Sequence, residues 1–259
     1  MVSKKYCLVS SSLNIGTEAI VRFLSKEEFE IERTNFHIIH KSLSFIRERY
    51  NERMELMSIS IGDKVSQTSQ EVFDNVFRQI IFDSFPNKDK TNNLIIDSGT
   101  SLLSLRPEKF ISDIKIIIIY THPILLSLRI WNHMTDLFLK THDKKYLDSI
   151  SNDGSLDLHN FCKNYFKSWL ESFERVCLSY TSNKNVLFIQ ESELCHTYTS
   201  NKLIKFLGIK KPNVKNFSLD SNNNFTKEQK SVKKISPDIL KEIDISLKKR
   251  IPLSFNEIY

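Results

Sequence analysis

The sequence contains little glycine, proline or cysteine. Five glycines and six prolines among 259 residues argue against a collagen-like chain and against long disordered segments. The four cysteines form no CxxC pair and have no histidine at metal-ligand spacing, which argues against a disulfide framework and against a metal site. We therefore expect free thiols, no bound metal and a cytoplasmic protein.

Long apolar runs and large clusters of one charge are also missing. The apolar stretch that begins at Ile114 is broken at Pro123 and is too short to span a bilayer. Lys4 and Lys5 precede only a few apolar residues, which is not the pattern of a signal peptide. The formal charge is +6, but the lysines are dispersed, and the one tight basic run, 248–250, suits a helix C-terminus. We expect no transmembrane segment and no nucleic-acid partner.

Short apolar segments alternate with longer amphipathic ones. Continuous apolar runs at Lys5–Ser10, Leu94–Asp97, Ile116–Tyr120 and Val186–Gln190 predict buried strands. Strands separated by helices predict a three-layer α/β/α, P-loop-like domain with a central parallel sheet, whose ligands lie at the carboxyl ends of the strands. We expect a single domain that covers residues 1–259.

The longer segments have helical spacing of their apolar residues. They predict helices over Val72–Ile81, from Pro123 to about Leu139, from about Ser155 to Tyr180, and over Thr199–Leu207. Gly208 stands where a helix ends on a left-handed residue. The aromatic residues of the third helix recur at core spacing, so we interpret them as core and not as a cofactor site.

A possible anion site follows the first strand. The loop Ser10–Thr17, which includes Ser12, is short and rich in small residues. It ends in Gly16-Thr17 and leads into a helix. Backbone N–H groups at a helix N-terminus hold an oxyanion well, and glycine allows its close approach. The loop is not a Walker A motif, because Thr17 and not lysine follows Gly16. The same residues are also compatible with an ordinary turn between a strand and a helix that binds no ligand.

The order of motifs resembles one known family. After the first loop come LIIDSGTSLL, then IKIIIIYTHPILLSLRIWNH, then a long aromatic helix, and finally NVLFIQESELCHTYTSNKLIKFLGI. This succession resembles the P-loop sulfotransferases that use 3′-phosphoadenosine 5′-phosphosulfate (PAPS), especially the bacterial type acting on glycans and small molecules. The resemblance covers nearly the whole chain except residues 28–65 and about the last thirty.

The resemblance implies a 5′-phosphosulfate site in the first loop, where the family reads [KR]-S-G-T-[ST]. Asn14 stands at the basic position, Ile15 replaces serine, Gly16 and Thr17 match, and Glu18 replaces threonine or serine. The family's first cation is therefore missing. A charge-assisted hydrogen bond to phosphate contributes about 1.5 to 3 kcal/mol, so this loss weakens nucleotide binding about tenfold to a hundredfold.

The resemblance implies a 3′-phosphate site in the second motif, which begins Arg-x-Pro and ends in serine. Thr121 stands at the arginine position, and His122 and Pro123 match a common variant. The serine falls on Arg129 without a gap or on Ser127 with a two-residue deletion. Arg129 is then the best candidate for a substitute cation at the 3′-phosphate, and a place on a solvated helix face is its plain alternative.

Sulfuryl transfer also needs a base near the acceptor hydroxyl. The candidates are Asp97, at the carboxyl end of a predicted strand, and His122, just past the next strand. Each has a plain alternative, since Asp97 can cap or order a loop and His122 can be a structural histidine. Arg22 and Arg106 are further candidate cations for the 5′ side.

Two hypotheses of different class follow. One is a sulfotransferase that moves the sulfuryl group from PAPS to a hydroxyl of a glycan or small metabolite. The other is a catalytically inactive protein of the same fold that acts as a binding or assembly partner, because both signature cations are missing and Glu18 is added. The oligomeric state does not follow from the sequence.

Overall fold

The computed structural model describes residues 5–11, 16–26, 92–97, 103, 108, 113–151, 156–209 and 231–255. Contacts divide the chain into two compact units, Met1–Ile119 with Lys202–Lys215, and Tyr120–Asn201 with Asn216–Tyr259. The single domain over residues 1–259 stays a prediction. The helix predicted over Val72–Ile81 lies outside the described residues.

The first unit is built on parallel strands. They are β1 (Lys5–Ser11), β2 (Asn92–Asp97) and β3 (Lys115–Tyr120). β1 pairs with both others in parallel, with Leu8 opposite Ile95 on one side and Ile116 on the other. Cys7–Val9 and Ile116–Ile119 are buried, which explains why these strands are continuously apolar. The predicted parallel sheet is confirmed.

Helix α1 (Thr17–Lys26) follows β1 and packs on it. Its buried face carries Ala19, Ile20, Phe23 and Leu24, the helical spacing expected of a helix that covers a sheet. Burial of the Cys7 side chain on β1 raises the pKa of its thiol to about 12, so this cysteine stays protonated. It is a core residue.

The second unit is mainly helical among its described residues. It contains α2 (Pro123–Thr141), the short α3 (Lys145–Asp148), α4 (Leu158–Tyr180), the strand β4 (Val186–Gln190) and α6 (Pro237–Arg250). α4 packs against α2 and α6. Of its aromatic residues predicted as core, Phe161, Phe166, Trp169 and Phe173 are buried and Tyr165 is half-buried. Tyr180, at the end of the helix, is buried as well. The rings of Trp169 and Phe173 stack at 4.6 Å.

The helix ends follow ordinary capping rules. α4 begins at Leu158 and not near Ser155, because Asp157 caps it by accepting from the backbone N–H groups of His159 at 2.8 Å and Asn160 at 3.3 Å. Helix α5 (Thr197–Leu207) ends as predicted on Gly208, at φ +67°. Two backbone bonds complete that end, from Ile209 N–H to the Ile204 carbonyl and from Gly208 N–H to the Lys205 carbonyl.

Within the described part of the chain, no helix has the length and hydropathy needed to cross a bilayer.

Candidate functional site

The residue before α1, Gly16, has a backbone conformation that suits the close approach of an anion. Gly16 has φ +68°, a left-handed conformation that glycine adopts without strain. Its carbonyl accepts the N–H of Ile20 at 3.3 Å, so Gly16 is the residue that immediately precedes α1 and accepts its first helical hydrogen bond. Gly16 has no side chain that could cap the first amides of α1, and backbone N–H groups at a helix N-terminus point out of the helix. Ser12, Asn14, Ile15 and the further candidate Arg106 lie outside the described residues.

Two buried hydroxyl groups meet beside this turn. The Ser11 Oγ and the Thr17 Oγ1 lie 2.6 Å apart, and the two residues are 0% and 4% exposed. One hydroxyl donates to the other, so the second hydroxyl proton of the pair points elsewhere. A hydroxyl whose oxygen already accepts a hydrogen bond is a good donor to an oxyanion. The pair thus links the end of β1 to the first residue of α1.

The carboxylate of Glu18 lies on the outside of α1. Its Oε1 is 3.6 Å from Nε of Arg22 one turn on, and the Glu18 side chain is 54% exposed. The pair is solvated, so its Coulomb attraction is weak. Glu18 therefore reduces the favourable potential of the helix N-terminus from a solvated position.

Asp97 ends β2 at the same edge of the sheet. It is the register partner of Ser10 on β1, one residue before Ser11. Neighbouring strands lie about 4.8 Å apart, so the backbone of Asp97 is close to the start of the loop that follows β1. The first unit thus brings together three of the residues predicted from sequence, Gly16, Thr17 and Asp97, at the carboxyl end of its parallel strands.

The turn between β3 and α2 is closed by its own residues. His122 caps α2, because its Nδ1 accepts the N–H of Ile124 at 3.3 Å. Pro123, the first helical residue, has no N–H. The first two positions of this helix therefore offer no amide to a ligand, unlike the start of a helix that binds phosphate.

His122 is also engaged on its other nitrogen. Its Nε2 lies 3.4 Å from Oδ1 of Asp244 on α6, its side chain is 3% exposed, and its ring meets that of Phe255 edge-on. Because Nδ1 accepts a hydrogen bond, the neutral ring carries its proton on Nε2, facing Asp244. To take up a proton, His122 must give up the bond that caps α2. This geometry suits a structural histidine better than a general base.

Thr121 and Arg129 share one carboxylate, that of Glu191. The Thr121 hydroxyl donates to Oε2 of Glu191. The Arg129 guanidinium donates to Oε1 at 3.2 Å and to Oε2 at 3.4 Å. The Arg129 and Glu191 side chains are 21% and 16% exposed, so this pair is better shielded from water than that of Glu18. The residue at the family's arginine position and the predicted substitute cation are thus both held by Glu191.

Ser127 lies inside the second unit. Its Oγ is 2.9 Å from the carbonyl of Ile124 and 3.2 Å from Sγ of Cys162 on α4, and the residue is fully buried. Burial raises the pKa of the Cys162 thiol, and the hydrogen bond with Ser127 opposes that rise. Ser127 therefore joins α2 to α4 through its hydrogen bond with Cys162.

Sequence reasoning missed Glu191 and Asp244. Glu191 belongs to the 3₁₀ turn Glu191–Cys195 after β4, and Thr199 holds this turn by donating its hydroxyl to the Glu193 carbonyl at 2.6 Å. The acidic turn was recognisable as a motif, but nothing in it marked Glu191 as the partner of Arg129. Asp244 sits on an ordinary amphipathic helix and carried no local signal. Among the described residues, no group of three or more His, Cys, Asp or Glu side chains could hold a metal ion.

Two solved structures are similar to this chain over nearly its whole length. The mouse sulfotransferase SULT7A1, crystallised with PAP, has 15% identity and a TM-score of 0.52, and the match covers 97% of this chain and 85% of the mouse protein. A sulfotransferase from Alicyclobacillus acidocaldarius has 13% identity and a TM-score of 0.52, with 98% of each chain covered. The chain has a sulfotransferase-like fold. No family model and no curated protein matches it.

This likeness confirms the predicted fold class, a three-layer α/β fold with a central parallel sheet. At these identities it shows the fold alone. The activity, the nucleotide and the acceptor depend on the individual residues of this chain.

Proposed function

We propose that this protein is a sulfotransferase-like enzyme that transfers a sulfuryl group from PAPS to a hydroxyl of a glycan or small metabolite. The observation that carries the proposal is the turn after β1, where Gly16 at φ +68° precedes a helix and the buried Ser11–Thr17 hydroxyl pair adjoins it. The fold is shared with a mouse sulfotransferase crystallised with PAP, which makes PAP the first ligand to test.

In the proposed reaction the acceptor oxygen attacks sulfur and the bond from sulfur to the 5′-phosphate oxygen breaks. The acceptor's proton passes to a base, and adenosine 3′,5′-bisphosphate (PAP) leaves. Negative charge develops on the 5′-phosphate, so donors aimed there lower the barrier. The amides at the start of α1 and the Thr17 hydroxyl are the proposed donors. The co-substrate residues on this side are Ser12, Asn14, Ile15, Gly16, Thr17 and Glu18.

Asp97 is the preferred base. It ends β2 beside Ser10, at the edge of the sheet where the phosphate loop begins. His122 remains the second candidate, but both of its ring nitrogens face partners, the Ile124 N–H and the Asp244 carboxylate. For the 3′ side of the nucleotide we propose that Thr121, Ser127 and Arg129 are the neighbouring residues, as the family resemblance implies.

A catalytically inactive protein of the same fold is the second candidate. The observation in its favour is the carboxylate of Glu191, which holds both Thr121 and Arg129. An internal anion at these two residues suits a protein that no longer binds the nucleotide and acts as a binding or assembly partner.

Titration calorimetry with PAP separates the two candidates. The enzyme hypothesis predicts binding by the wild-type protein and an affinity about tenfold to a hundredfold lower in Thr17→Ala, because one hydrogen bond to a charged phosphate is lost. Thr17→Ser keeps the hydroxyl and is the matched control. Absence of heat at millimolar PAP with a folded wild-type protein would refute the enzyme hypothesis and leave the inactive fold.

A further inference from the structure

Glu191 is a built-in anion at the start of α2. Both of its carboxylate oxygens are used by the Arg129 guanidinium, and one of them also accepts the Thr121 hydroxyl. The Arg129 and Glu191 charges cancel, and both side chains are mostly shielded from water. Arg129 is thus the cation of a formed ion pair.

A carboxylate and a phosphate compete for the same donors. Both are acceptor-only oxyanions, and the planar fork of arginine fits either of them with two parallel hydrogen bonds. Glu191 is attached to the same chain and held beside Arg129 at all times, which gives it the advantage of an intramolecular ligand. An incoming phosphate must either displace the Glu191 carboxylate from Arg129 or bind next to its negative charge.

The turn that carries Glu191 is itself held in place. The Glu193 carbonyl accepts the Thr199 hydroxyl at 2.6 Å and the His196 N–H at 3.0 Å. Leu194, between these contacts, is fully buried. Displacing the Glu191 side chain therefore means rotating it within an anchored turn, because the backbone of the turn has little freedom to retreat.

We propose that Glu191 is a specificity-determining residue that makes the α2 segment nearly indifferent to a 3′-phosphate on the nucleotide. The inference rests on the proposed function, because it concerns the nucleotide of that reaction. A carboxylate accepts a hydrogen bond from a neutral ribose hydroxyl and repels a phosphate, whereas an arginine favours the phosphate. Dinucleotide-binding proteins use this same difference to tell a ribose hydroxyl from its phosphate. The accepted ligand class is then adenosine 5′-phosphates both with and without a 3′-phosphate.

The test compares PAP with adenosine 5′-monophosphate (AMP), which lacks only the 3′-phosphate. Calorimetry on the wild-type protein is expected to give affinities for the two within about threefold, far less than the tenfold to hundredfold that a charged hydrogen bond provides. Glu191→Gln keeps the size and the acceptor for Thr121 but removes the charge. It is expected to raise the preference for PAP over AMP by about tenfold or more, through tighter PAP binding with AMP unchanged.

Glu193→Gln is the matched control, because it removes the same charge two residues further along the same turn, and its PAP to AMP ratio should equal that of the wild type. The wild-type ratio needs no variant to fold. If wild-type protein binds PAP more than about tenfold tighter than AMP, the inference is wrong and the proposed function stands. If neither nucleotide binds, both are wrong. If Glu191→Gln, folded by circular dichroism, keeps the wild-type ratio, Glu191 does not set the specificity.

Discussion

The two turns that lead from a strand into a helix, β1 to α1 and β3 to α2, differ in what starts the helix. Gly16, which has no side chain, precedes α1, and a buried hydroxyl pair adjoins it. His122 precedes α2 and accepts the Ile124 N–H at its Nδ1, and Pro123, the first residue of α2, has no N–H. The residue before α1 therefore has no side chain to cap its helix, whereas the residue before α2 caps its helix with its own side chain.

Each of the two turns has a carboxylate beside it, and these carboxylates differ in how well water screens them. Glu18 on α1 is 54% exposed and its neighbour Arg22 is solvated. Glu191 is 16% exposed and holds Arg129. A solvated carboxylate adds a weak, screened repulsion to an arriving anion, whereas a shielded one next to its cation replaces the anion. Counting charges in the sequence does not distinguish these cases.

The largest expected effect comes from Gly16→Val. A β-branched residue at φ +68° is strained by about 1 to 3 kcal/mol, and its side chain stands where an anion must approach. We expect PAP affinity to fall by about a hundredfold or more, together with a lower melting temperature. Gly208→Val is the matched control, because Gly208 has φ +67° and an added Cβ meets nothing within 4 Å. It should lower stability similarly and leave PAP affinity unchanged. Equal PAP affinity in both variants would contradict the assignment of the turn.

The sequence predicted those features that depend on local patterns. Gly208 followed by Ile209 predicted the left-handed helix end, and the continuous apolar runs predicted β2 and β3. It did not predict which side chains meet. Glu191 is 62 residues from Arg129, and Asp244 lies on another helix from His122, so these partnerships are set by tertiary packing. The sequence identified Arg129 as a cation near the second motif, but it did not show that Glu191 neutralises this charge.

Thr17→Ala and Ser127→Ala test whether the two turns contribute differently to PAP binding. The Thr17 variant is expected to lose about tenfold to a hundredfold in PAP affinity. The Ser127 hydroxyl is already engaged with the Ile124 carbonyl and Cys162, so its loss should change PAP affinity by less than about threefold. Calorimetry on both variants measures the ratio. A larger loss of PAP affinity in Ser127→Ala than in Thr17→Ala would contradict the assignment of the phosphate site to the turn before α1.

His122→Leu tests whether the second turn is structural. Leucine has a similar size but no acceptor, so the Ile124 N–H loses its partner at a cost of about 1 to 3 kcal/mol in unfolding free energy. His122→Asn keeps an acceptor at a position where asparagine caps helices well, and should cost less. Urea unfolding of the two variants measures the difference. Equal stabilities would show that the cap contributes little.

The smallest expected effect is that of Glu18→Gln. Removing an exposed carboxylate near a helix N-terminus should raise PAP affinity about twofold to fivefold at low salt, and less at high salt. Arg22→Gln removes the neighbouring charge of opposite sign and should lower the affinity slightly. A gain for Glu18→Gln larger than that for Glu191→Gln would contradict the difference drawn between solvated and shielded carboxylates.

The central claim is that the turn after β1 binds the 5′-phosphate of a nucleotide through its backbone and Thr17. A crystal structure of the protein with bound PAP tests it most directly. We expect a 5′-phosphate oxygen about 3 Å from the Thr17 hydroxyl and from the first amides of α1. A structure in which PAP binds elsewhere, or in which side chains fill the Gly16–Thr17 turn and no PAP is bound, would contradict the claim.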